Sequence, residues 1–272
     1  MKIINNIGED SLNGDIIINP DIVKPITEAA KETLPKTVDN TDEALSTVVG
    51  FFDNVVLYPL KKANIEFKYK LENFEKDLRE KTKDISAEDF QEPPVMISGP
   101  TLEALRYAYD EDELRNMYEN LLASSMNKNN KAIIHPSYVE IIKQLSPDEA
   151  KLLKKISNNG NSYPIIDIRI NSKDRGYINY VVNFTTLAED VCEHYENVNS
   201  YIDNFMRLRI IDIPPMVKIH EDEAYRDLES CEFVKSLLDT PLPDDNSWQI
   251  TRKKFELTEF GKRFIDVCIR CK

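Results

Sequence analysis

Glycine is scarce. The chain has 7 in 272 residues, where average usage of about 7% would give ~19. None sits in a G-x-G-x-x-G or Walker-type loop, so a backbone cradle for phosphate is missing and nucleotide-dependent enzymes are disfavoured. Histidine is scarcer, at 3: His135, His194 and His220 are scattered, no Ser or Cys falls in a nucleophile motif, and no acid–base pair or other catalytic constellation is legible. His135, just before Pro136, reads as a helix-start residue. The four cysteines, Cys192, Cys231, Cys268 and Cys271, all lie in the last third of the chain, unlike the dense framework of a disulfide-stapled secreted module, and read as reduced thiols. Cys268 and Cys271 have a metal-ligand spacing to which Cys192 and His194 could add. Cys268 also continues the apolar stripe of Phe264, and burial outweighs zinc; no metal or cofactor is expected. Basic residues are outnumbered 35 to 48, giving a formal charge of -13, which repels phosphate backbones and anionic membranes unless cations cluster locally. No apolar run of signal-peptide length opens the chain, and a cytoplasmic location is expected.

What is present is amphipathic helix. After a tail over 1–19, Ile22, Ile26, Ala29, Ala30 and Leu34 recur at helical spacing. Thr41-Asp42-Glu43 then starts a stripe of Leu45, Val48, Val49, Phe52, Val55 and Val56. Beyond Pro59, the residues Leu60, Phe67, Leu71, Phe74, Leu78 and Ile85 mark a long helix packed along one seam. Segment 44–60 is the one membrane suspect, because it is apolar, carries Phe51, Phe52 and Tyr58, and precedes Lys61-Lys62. It is too short to span, its polar face lacks cations, and core packing is the stronger reading. Further helices follow Ser98-Gly99-Pro100, Asp110 and His135-Pro136-Ser137. Ser146-Pro147-Asp148-Glu149 is a capping box with proline at the first helical position.

After residue 160 the pattern changes. Ile165 to Ile170 and Tyr177 to Val181, around Lys173-Asp174-Arg175-Gly176, predict a hairpin. Thr186 to Glu189 reads as a second capping box, with helix through Val191, Tyr195, Val198, Ile202, Phe205 and Leu208. Residues 222–238 read as helix, Trp248 to Leu257 as strand, and Thr258 as the start of a closing helix. This order, with Leu257-Thr258-Glu259-Phe260-Gly261, is similar to a winged-helix module. The expected fold is therefore mainly α: a tail over 1–19, a helical body over 20–145, and a small α+β winged-helix-like module over 146–272. That module has 18 basic residues against 22 acidic, a net of -4. Its candidate contacts to nucleic acid or a partner are Arg207, Arg209, Arg252, Lys253, Lys254, Lys262 and Arg263. Without a basic face, DNA binding is disfavoured and protein contact is preferred.

Three stretches occur in order: Pro94-x-x-x-x-Gly99-Pro100-x-Leu102-Glu103, then Glu113-Leu114-Arg115-Asn116-Met117-Tyr118-Glu119-Asn120-Leu121-Leu122-Ala123, then His135-Pro136-Ser137-Tyr138 through Ala150. With them the chain resembles the abortive-infection alpha family of bacterial phage-defence proteins. The resemblance implies a helical body, a role in antiphage defence and no catalytic residues. Recognition of a phage or host protein is the expectation, with a DNA-binding regulator and a membrane-active effector acting through 44–60 as alternatives.

Overall fold

The structure is a computed structural model that describes residues 40–53, 66–158, 160–173, 175–243 and 245–270. The expected tail over 1–19, the helix around Ile22 to Leu34, Val55, Val56, Leu60 and Cys271 lie outside the described residues, as do the side chains of Phe67 and Leu71. Among the described residues the protein is mainly helical, with one small four-stranded antiparallel sheet in its C-terminal half.

The helical part comprises α1 (Asn40–Phe52), α2 (Glu66–Thr82), α3 (Val95–Ala108), α4 (Asp112–Ser125), α5 (Ser137–Ile142) and α6 (Pro147–Asn158). On α1 the stripe of Ala44, Leu45, Val48 and Phe52 is buried, and Phe52 stacks on Phe74 of α2 with ring centroids 3.9 Å apart. The described part of the segment flagged for membrane contact therefore spends its apolar face on the core. No described helix is long and apolar enough to cross a membrane.

Helix α3 begins earlier than the Ser98-Gly99-Pro100 signal predicts, at Val95, and Pro100 lies inside it. Proline there forfeits one helical hydrogen bond, to the carbonyl of Met96. That residue is exposed, so water can serve the carbonyl instead. Helix α4 is enclosed: every residue from Met117 to Ser125 is buried, including Glu119, Asn120, Ser124 and Ser125.

Helix α6 starts as its sequence predicts, with Ser146 N–H donating to Glu149 Oε2 at 2.6 Å and Glu149 N–H donating to Ser146 Oγ at 3.2 Å. The following hairpin joins β1 (Ser162–Ser172) to β2 (Gly176–Phe184). Next come α7 (Val198–Arg207), β3 (Ile211–Asp212), α8 (Glu223–Ser230), α9 (Glu232–Leu238), β4 (Ser247–Leu257) and α10 (Glu259–Ile265), closed by a π-helical turn over Asp266–Arg270. The sheet order is β2-β1-β4-β3.

The predicted capping box at Thr186 starts no regular helix. Turns run to the short 3-10 segment Tyr195–Asn197, and α7 begins at Val198. The cause is a competing partner: Asp148, at the start of α6, accepts from the backbone N–H of Glu193 at 3.0 Å and of His194 at 2.8 Å, holding them out of a helical ladder. Residues 222–238 form two helices broken at Cys231, whose backbone is extended.

One buried cluster runs from Ala44 to Cys268 and joins the helical part to one face of the sheet. A smaller one, with Ile166, Ile168, Tyr225, Leu228 and Val234, lies between the other face and α8–α9. Gly261 marks the tightest join. A Cβ there would stand 2.0 Å from the Ile210 carbonyl oxygen, so the closing helix can lie this near the strand only with glycine at that position.

Phe74 is fully buried against Phe52, within the only part of the predicted seam whose side chains are described. Phe74→Ala should destabilise the protein by about 3–5 kcal/mol, read by urea unfolding. An unchanged midpoint would remove the seam from the account.

Candidate interaction surface

The seven cations nominated from sequence do not form one face. Arg252 and Lys253 are neighbours in the chain, but the pleat of β4 sends them to opposite sides of the sheet. Arg252 sits 5.1 Å from the Tyr225 ring centroid and holds Glu229 through Nε at 2.5 Å and Nη2 at 2.8 Å, while Nη1 bonds Asp222. Lys253 on the other side bonds Asp167 Oδ1 at 2.7 Å and Asn183 Oδ1 at 2.6 Å. Lys254 pairs with Glu256 at 2.7 Å, Lys262 with Glu259 at 2.5 Å, and Arg209 lies 3.6 Å from Asp212. Arg207 bonds amide oxygens, Gln144 at 2.8 Å and Asn204 at 2.6 and 3.0 Å. Arg263 is exposed on the closing helix. Five of the seven thus already have a carboxylate, and the structure does not bring the set together.

What it does bring together is an aromatic-edged groove of about 720 Å³ beside α9, lined by Glu189, Tyr195, Cys231, Phe233, Leu237 and Thr240 among others. Tyr195 and Phe233 are 51% and 48% exposed. Helix α9 buries only Val234 fully, and Phe233, about 100° round the helix from it, stays half exposed. The Phe233 ring lies 5.0 Å from that of Phe184, at the end of β2. Sequence reasoning missed both aromatics. The Phe233-Val234 pair was the available signal, while Tyr195 was assigned to an apolar helix stripe.

The far wall of the groove is positioned by Asp148. Burial alone would raise its carboxyl, but the N–H groups of His194 and Glu193 and the ammonium of Lys151 override that and hold it at about 2. It is ionised at neutral pH, and Tyr195 follows directly on the segment it holds. Tyr201 adds a hydroxyl bond to the His194 carbonyl at 3.0 Å. The opposite wall rests on Arg252, whose bridge to Glu229 and Asp222 ties α8 to the sheet, with Tyr225 OH donating to the Lys253 carbonyl at 2.7 Å.

The cysteines and histidines take other places. Cys268 is fully buried, Cys192 is buried with its Sγ donating to the Asp148 carbonyl at 3.4 Å, and Cys231 lines the groove. Burial pushes the Cys192 thiol up to about 11, so it stays protonated near neutral pH. His135 Nδ1 accepts from Ser137 N–H at 3.1 Å, a helix-start role, and His194 lies 3.5 Å from Glu196. Among the described residues no group of three or more His, Cys, Asp or Glu is placed to hold a metal ion.

Residues 66–268 match the abortive infection alpha family. The chain belongs to that family. No curated protein and no solved structure matches it. Membership makes it an abortive-infection, and hence antiviral defence, protein. In this abortive infection alpha protein the matched stretch runs from the first residue of α2 to the buried Cys268, so it takes in the enclosed α4, the whole sheet and the groove.

A cation already bonded to carboxylates releases few counterions from DNA. We therefore expect no dissociation constant below about 1 µM for duplex DNA at ~150 mM salt, by fluorescence anisotropy. Tighter binding with a steep salt slope would mean these ion pairs open to take phosphate.

Proposed function

We propose that this protein acts in abortive infection by recognising another macromolecule, a phage or host protein, and not by catalysis. The observation that carries this reading is the groove beside α9. Exposed Tyr195 and Phe233 line it together with Leu237, Glu189 and Glu232, in a region whose candidate cations are mostly neutralised internally. Exposed aromatic side chains around an apolar floor are the usual anchors of a protein interface. The acidic rim and the overall charge of -13 favour a partner that brings cations around an apolar contact.

The order α6, β1, β2, α7, β3, β4, α10, with β1, β4 and β3 adjacent in the sheet and β2 added outside β1, supports a winged-helix reading of the C-terminal half. In that reading α8 and α9 take the place of the wing, and the wing carries the groove. We place the activity in the bacterial cytoplasm, with no cofactor. A DNA-binding regulator needs a basic face that this module does not assemble, and a membrane-active effector needs the apolar face that α1 commits to the core.

Phage plating tests this. Cells carrying Phe233→Ala or Tyr195→Ala should lose protection while the variant protein melts like the wild type, since both residues are half exposed. Alanine at His135, His194, His220, Cys192 or Cys268, in any variant that remains stably folded, should keep it. A stably folded single variant in that second set without protection would point to chemistry, because catalysis concentrates its energy in one or two groups. No protection by the wild type against a broad phage panel would end the defence role.

A further inference from the structure

The sheet has two edges and they differ. On one side β3 contributes only Ile211 and Asp212, beside Leu257 and Glu256 of β4, and further along β4 the Lys253 carbonyl is taken by Tyr225 OH at 2.7 Å. On the other, β2 runs nine residues, Gly176–Phe184, and contains no charged residue and no proline. Tyr177, Ile178 and Tyr180 along it are 56%, 71% and 58% exposed. Soluble proteins ordinarily blunt such an edge with lysine, proline or a covering element, because its unpaired backbone groups recruit another strand. Among the described elements, α7 meets this strand at its far end, where Asn199 bonds the Val182 carbonyl. Register shifts opposite Ile168 leave the stretch from Gly176 to Asn179 regularly paired to β1 on its inner side.

We propose that two copies of this chain associate by antiparallel pairing of β2 with β2 about a twofold axis near Asn179. Three features favour a second copy as the occupant. In a chain of net charge -13, like copies repel over most of their surface, and β2 is a neutral stretch where two can meet. Antiparallel pairing brings the exposed turn cations Lys173 and Arg175 of one copy toward the end of β2 in the other, where exposed Asp203 stands against Asn183. It also sets Ile178 of each copy beside Tyr180 of the other, a β-branched–aromatic pair of the kind that stabilises antiparallel strands. Lys173 is engaged by Asp245 at 2.7 Å, but both side chains are more than two-thirds exposed, so that pair yields easily. Because the twofold pairing uses the same edge in both copies, each copy's β2 is consumed by the other and pairing closes at two copies without growing into a filament.

Sedimentation equilibrium on the full chain from ~1 to ~100 µM tests this. A monomer–dimer equilibrium with no larger species is expected. Ile178→Lys should weaken it about tenfold or more, since it buries a charge at the axis while altering an exposed side chain. Tyr107→Lys, a change at a 79% exposed site on α3, should leave it unchanged. Circular dichroism confirms that both variants are folded, and Asn179→Lys serves should Ile178→Lys fail to fold. A chain monomeric throughout the range would overturn the proposal and leave the edge to a strand from an unlike partner. A dimer indifferent to these β2 substitutions, or open-ended assembly, would overturn it as well.

Discussion

Two short side chains on α4 hold the last described turn of the chain by its carbonyls. Asn120 Nδ2 donates to Cys268 at 3.0 Å and to Ile269 at 3.2 Å, and Ser124 Oγ donates to Val267 at 3.0 Å. Carbonyls at a helix end have no partner within the helix, and buried ones are costly if left unmet. With them satisfied, Val267 and Cys268 enter the main core, α10 is fixed behind them, and through Gly261 and Thr258 it is held against the Arg209 and Ile210 backbone that leads into β3. Helices and sheet therefore share one interior. Glu119, the residue before Asn120 on α4, shows how enclosed the helix is. Its two carboxylate oxygens have no hydrogen bond, Lys81 and Arg115 stand 3.8 and 3.9 Å off, and burial pushes its carboxyl up to about 7 against their pull.

On that interior the charged residues divide into two roles. Buried or half-buried ones position elements: Asp148 holds the segment before Tyr195, Arg252 fastens α8 to the sheet, and Lys253 joins β4 to β1 and β2 through Asp167 and Asn183. Losing one partner of such a pair strands the other, which is why these residues belong to the scaffold of the groove more than to its contact face. In the proposed recognition, contact falls to Tyr195 and Phe233, which are about half exposed. Defence by recognition fits this arrangement, with a rigid frame built from polar links and a few aromatic anchors at its rim.

Much of the frame was legible in the sequence because the forces setting it are local. The capping box at Ser146, the seam residues Phe74 and Leu78, the alternation of the hairpin and the Thr258 cap each depend on residues a few positions apart. Where sequence reasoning failed, a distant partner intervened. Thr186 to Glu189 carried a helix signal that Asp148, some 45 residues earlier in the chain, cancelled by taking two N–H groups. The run Arg252-Lys253-Lys254 looked like a basic cluster because a sequence does not display the pleat that separates its members or the acids opposite. The groove was illegible for the same reason, since its two walls meet only after the sheet is formed. The abortive-infection family was legible from the stretches between Pro94 and Ala150, which fold as α3 to α6 around the enclosed α4.

The single cooperative interior held at α4 and the closing turn can be followed with a probe the chain supplies. Trp248 is its single tryptophan and lies in β4, whereas most of the helical signal comes from the body. Urea unfolding followed by Trp248 fluorescence and by far-ultraviolet circular dichroism should give coincident transitions in the wild type. In the double variant Asn120→Ala, Ser124→Ala the fluorescence transition should move to lower urea, ahead of the helical one. Separate transitions in the wild type, or coincident and unshifted ones in the double variant, would contradict the account.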